Sequence, residues 1–85
     1  MNLNAHQRAC ANNRLGRLAK KLGFTIGHCT LADGKGGERE AIIVSRDANN
    51  FVRATYAGKF ESNSYIAALT KAMREARQKF STSTK

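Results

Sequence analysis

Acidic residues are scarce in this chain of 85 residues: six Asp and Glu stand against fifteen Lys and Arg, a formal net charge of +9. Proline is absent, and no internal repeat is visible, which excludes a solenoid or tandem array. No apolar run approaches the roughly 18 residues needed to span a bilayer. The first ten residues, Met1 to Cys10, contain no apolar stretch of the kind a secretory signal requires. These absences predict a cytoplasmic protein with no membrane association, such as a bacterial, plasmid or phage accessory protein. Cysteine is too rare for a disulfide framework, and Cys10 and Cys29 read as free, half-buried small hydrophobes.

The chain is long enough for one domain, expected over residues 1–80, with 81–85 as a frayed tail lacking any apolar anchor. A domain of this size buries only about 60–65% of its unfolded surface, so its core is thin. It has no room for a deep cleft between domains. A hydrophobic content of 41% is nevertheless too high for a disordered chain.

Positive charge is concentrated at the two ends. Residues 1–23 carry Arg8, Arg14, Arg17, Lys20 and Lys21 and no acid. Residues 62–85 carry Lys71, Arg74, Arg77, Lys79 and Lys85 against Glu75 alone. The middle of the chain is balanced, with five bases and five acids over 24–61. A field of this kind raises the rate of encounter with polyanions.

Hydrophobic periodicity predicts the element order α-β-β-β-α. Asn2 or Asn4 can cap a first helix, in which Ala11, Leu15, Leu18 and Leu22 recur on one face. Beside that stripe lie Cys10, Arg14, Arg17 and Lys21. Gly16 costs this helix up to roughly 1 kcal/mol relative to alanine, and permits close packing or close approach by a partner. Gly23 suits the left-handed position that ends a helix. Strands are predicted over Phe24–Leu31, Arg39–Arg46 and Phe51–Phe60, joined by a glycine-rich turn at 32–38 and a hairpin loop at 47–50. The last helix starts at Ser62 or Ser64. It places Ile66, Leu69, Met73, Ala76 and Phe80 on its inner face, Tyr65 and Ala72 at the edge of that face, and Lys71, Arg74 and Arg77 away from it. The predicted fold is α+β, a three-stranded antiparallel sheet with two helices on one face. It is expected as a monomer or, through unprotected strand edges, a homodimer.

The order α-β-β-β-α resembles that of the double-stranded RNA-binding domain, which presents its first helix, its β1–β2 loop and the start of its second helix to an A-form duplex. The likeness extends to element order only. Ser62-Asn63-Ser64-Tyr65-Ile66 lacks the lysine cluster that family carries at the start of its last helix, and with it the main phosphate clamp.

The residues expected to bind nucleic acid are Arg14, Arg17 and Lys21 of the first helix and Lys71, Arg74 and Arg77 of the last. The planar guanidinium pairs two phosphate oxygens at once. Lys35, in the glycine-rich turn, and Arg39 and Arg53, on the outer sheet face, are secondary candidates. A sheet that reads DNA with this face would be weakened by Glu40 and Asp47 nearby.

His6, Cys10, His28 and Cys29 are the chain's only histidines and cysteines. Adjacent strand residues point to opposite faces, so they rarely supply two of the four converging ligands of zinc. No metal or other cofactor is expected. No nucleophile–base pair, carboxylate couple or phosphate-cradling motif is evident, and an enzyme is not expected. The rival expectation is a small inhibitor, of phage or bacterial type, that caps an acidic protein surface. Ile43, Phe60 and the Phe80 end of the last helix would be its apolar anchors, with Tyr56 a further candidate that reads better as core.

Overall fold

A computed structural model describes residues 3–60 and 62–82. The elements follow the predicted order: α1 (Ala5–Lys21), β1 (Thr25–Ala32), β2 (Glu38–Asp47), β3 (Asn50–Tyr56) and α2 (Asn63–Thr82). Local chemistry sets each boundary. Asn4 Oδ1 accepts the Gln7 N–H at 2.8 Å and Gln7 Oε1 accepts the Asn4 N–H at 3.0 Å, a reciprocal capping box at the start of α1. Asn2 lies outside the described residues. At the other end Gly23 adopts a φ of +80°. Its N–H donates to the Lys20 carbonyl, and the Phe24 N–H donates back to Ala19 at 2.8 Å. The chain thereby turns directly into β1.

Two aspartates build the sheet's turns. Asp33 Oδ1 accepts from the backbone N–H groups of Lys35 and Gly37. Asp47 accepts from the N–H groups of Asn49 and Asn50 and from the Asn50 side-chain amide. The sheet is antiparallel in the order β1-β2-β3, with a register shift between Ser45 and Asp47. The third strand ends at Tyr56, four residues earlier than its sequence suggests, because Gly58 at a φ of +96° turns the chain toward α2. Ser62 caps that helix by accepting the Tyr65 N–H at 3.1 Å. The helix continues through Thr82, and 83–85 lie outside the described residues.

Because side chains alternate along a strand, even-numbered residues face the helices and odd-numbered ones face away. Ile42, Val44, Val52 and Tyr56 meet Tyr65, Leu69, Ala72, Met73, Ala76 and Phe80 of α2 in the core. Tyr65 and Ala72 are at the centre of that packing, not its edge, with 1% and 0% exposure. The α1 leucines are less buried than their spacing suggests. Leu15 and Leu18 are half-buried and Leu22 is 39% exposed, while Ala11 and Ala19 make the close approach. Small residues let the backbone of α1 near the core and leave its leucines at the margin. Cys10, expected to be half-buried, is exposed on the outer side of α1, and Cys29 is half-buried.

Candidate nucleic-acid interface

The helices lie side by side and run in the same direction. At their N-terminal ends the Leu3 N–H donates to Asn63 Oδ1 at 3.3 Å, and Tyr65 Oη donates to Asn12 Oδ1 at 3.0 Å. Toward their C-terminal ends they part around a groove of about 1010 Å³, floored by Leu15, Leu18, Leu22, Met73 and Phe80 and bordered by Arg74 and Arg77. Arg14 and Lys21 differ in helical phase by only about 20°, so they form one edge of α1; Arg17 is further round, toward β1. All six principal candidates are exposed.

None of these six makes an ion pair among the described residues, where the one pair found is Arg46 with Asp47 at 3.8 Å. Glu75 is the only acid on either helix, four residues beyond Lys71. It borders a depression beside β3 with Arg53 and Lys79, away from the α1–α2 groove. Lys71 is therefore the least isolated of the six cations.

Two other arginines have structural work. Arg8 Nη1 donates to the Leu3 carbonyl and, at 3.5 Å, to Asn63. Arg46 Nη1 donates to the Phe80 carbonyl at 3.1 Å, with its guanidinium 5.4 Å from the Phe80 ring centre. Sequence alone does not separate these from the available cations.

The secondary candidates are elsewhere. Lys35 is exposed at the tip of the β1–β2 turn. Arg39 and Arg53 share the open face of the sheet, pairing with Leu31 and Ile43 respectively. Both are thus on the far side of the sheet from the helices, although Arg53, on edge strand β3, also borders the depression with Glu75 and Lys79 of α2. Alternation also places Glu40 on the helix-facing side, beside Tyr56, so it does not offset Arg39 and Arg53 as expected. Burial, and then the Glu40 carboxylate, raise the Tyr56 phenol above its ordinary value. The Asp33 carboxyl is lowered by hydrogen bonds from the Lys35 and Gly37 backbone. The Asp47 carboxyl is lowered chiefly by the Asn50 side chain and the Asn49 backbone.

A feature missed in the sequence is a cleft of about 580 Å³ between α1 and β1. Asn13, Gly16, Arg17 and Lys20 form its α1 side; Ile26, His28, Phe60 and Tyr65 form the other. The one sequence signal for it is Gly16, in mid-helix. His6 and Cys10, one turn apart, touch at 3.7 Å on exposed surface. Neither side chain borders the grooves described above. Among the described residues no three His, Cys, Asp or Glu side chains cluster as metal ligands would, and no helix is long and apolar enough to cross a membrane.

The chain matches no protein-family model, no curated protein and no solved structure.

Proposed function

We propose that this protein binds nucleic acid without catalysis, through phosphate contacts from the cationic surface of α1 and α2. The observation that carries this reading is the isolation of Arg14, Arg17, Lys21, Arg74 and Arg77. They are exposed on adjacent helices and have no carboxylate partner among the described residues. Cations used only for solubility need no such segregation, whereas a polyanion rewards it by releasing counterions for every phosphate neutralised. Contacts of this type position a protein without reading bases, so little sequence preference is expected.

Salt titration tests the proposal. Four to six phosphate contacts give a log–log slope of affinity against salt of roughly −3.5 to −5.5 on duplex DNA. Replacing Arg14, Arg17 and Lys21 together by Ala flattens that slope by about 2–3 units and leaves the fold intact. Failure of duplex DNA, duplex RNA and single strands alike to bind at about 50 mM salt, where electrostatic binding is readily seen, would sink the idea.

The α1–α2 groove favours a second reading, in which an acidic amphipathic protein segment is the target. Its apolar floor would take the segment's hydrophobic side chains, and Arg74 and Arg77 its carboxylates. Tyr56, at 7% exposure, is a core residue, as expected, and Phe80, at 2%, is also core and reaches this surface only as part of the groove floor. Under this reading a purified complex with one acidic protein accompanies the absence of nucleic-acid binding.

A further inference from the structure

Gly16 is the starting observation. A glycine inside a helix is destabilising by up to about 1 kcal/mol relative to alanine, a loss usually offset by close packing. Here a Cβ at position 16 would meet no atom within 4 Å. Among the described residues no neighbour needs the space, and the space opens into the α1–β1 cleft. Opposite it is an aromatic group. Tyr65 is buried, with the Phe60 ring centre 4.8 Å away and the His28 ring centre 5.7 Å away. Phe60 is 55% exposed, which leaves part of its ring accessible to a ligand.

The polar atoms around these rings are directional. Tyr65 Oη donates to Asn12, so the Tyr65 oxygen accepts from His28 Nε2–H across 3.3 Å. His28 Nδ1 is then that ring's remaining polar atom. Asn13 is exposed, and its amide offers both donors and an acceptor. Arg17 and Lys20 stand on the α1 side of the same cleft. Arg17 also belongs to the cationic surface of α1, so the phosphate path proposed above leads directly to the aromatic group.

We propose that the α1–β1 cleft receives one unstacked nucleobase of a single strand. The base stacks on Phe60 beside His28, Asn13 hydrogen-bonds its edge, and Arg17 and Lys20 hold the flanking phosphates. Stacking on an aromatic side chain tolerates any base, because every base presents a π-face. The inference rests on the nucleic-acid reading and adds to it a preference for unpaired over paired strands.

The probe is an oligothymidylate of about twelve nucleotides, compared with an abasic phosphodiester of equal length and charge and with a duplex. The full chain is expected to bind the oligothymidylate about 5- to 150-fold more tightly than the abasic strand, the range for one stacked base. Phe60→Ala brings the two affinities together and leaves abasic and duplex binding unchanged. Gly16→Gln does the same by filling the cleft, and its melting temperature stays at or above the parent's because glutamine is a better helix former. That second variant keeps the test decisive if Phe60→Ala disturbs the fold. Equal affinity of the parent for the base-bearing and abasic strands overturns the cleft proposal while leaving phosphate binding in place. A base preference that both variants retain also overturns it, because the base is then held elsewhere. If none of the three probes binds, the nucleic-acid reading itself fails.

Discussion

Asp33 and Asp47 show how much structure one carboxylate can organise. Each is at the surface and binds the N–H groups of the turn that follows it. Their pKa values are lowered from the ordinary 3.8 by those bonds. A carboxylate whose pKa is depressed in the folded state stabilises the protein above its unfolded pKa, and that contribution disappears as pH falls through the folded value. The expected window is therefore the acid side of 3.8. Asn at either position keeps an accepting oxygen but cannot titrate. The stability difference between the parent and the double variant Asp33→Asn/Asp47→Asn is expected to shrink on acidification across that window. Urea melts at a series of pH values check this; a difference that stays constant from about pH 6 to about pH 2 would assign the turns' stability to the backbone alone.

At the scale of elements, the two helices play unequal parts. α2 lays a continuous buried face across β2 and β3, with Leu69 at 0% exposure. α1 packs on α2 and β1 through Ala11 and Ala19 and leaves its leucines half-wet. Leu69→Ala is accordingly expected to cost about 2–4 kcal/mol, as core truncations do. Leu18→Ala removes less buried surface and is expected to cost about 1–2 kcal/mol. Chemical denaturation of both variants tests the order; a larger loss for Leu18 would make α1 the principal core element. Hydrophobic spacing announced both helices equally well. It put Ala11 on the apolar face of α1 but could not reveal that Ala11 and Ala19 are buried more deeply than Leu15 and Leu18, because closeness of approach depends on what packs opposite. Tyr65 is similar: its helical phase put it at an edge, and Tyr56, Phe60 and His28 gathering around it made it central.

For the whole molecule the decisive property is sidedness. The fold is two layers within extents of 38 × 33 × 18 Å. The helix layer carries Arg14, Arg17, Lys21, Lys71, Arg74 and Arg77, and the open sheet face carries Arg39 and Arg53. A rigid duplex laid across one layer does not reach the other. Arg39→Ala/Arg53→Ala is therefore expected to leave the salt slope on duplex DNA unchanged, in contrast to the triple change on α1. Loss of slope in the sheet variant, with the α1 variant unaffected, would move the interface to the open face.

Alternation and helical period are local properties of the chain, and by themselves they determined the element order, the outward direction of the six helical cations and the inward direction of Ile42, Val44, Val52 and Leu69. The helix end at Gly23 and the two strand-connecting turns were legible for the same reason, since each depends on neighbours within a few residues, whereas the choice of Asn4 over Asn2 as cap and the accepting roles of Asp33 and Asp47 came from the structure. Tertiary structure alone decided which cations are spent, because Arg8 and Arg46 bind carbonyls that the fold brings to them. And it assembled the α1–β1 cleft, whose residues come from α1, β1, the segment after β3 and α2. Their separation along the chain hides them from any local pattern, and only the packing of α1 beside β1 brings them within reach of one ligand.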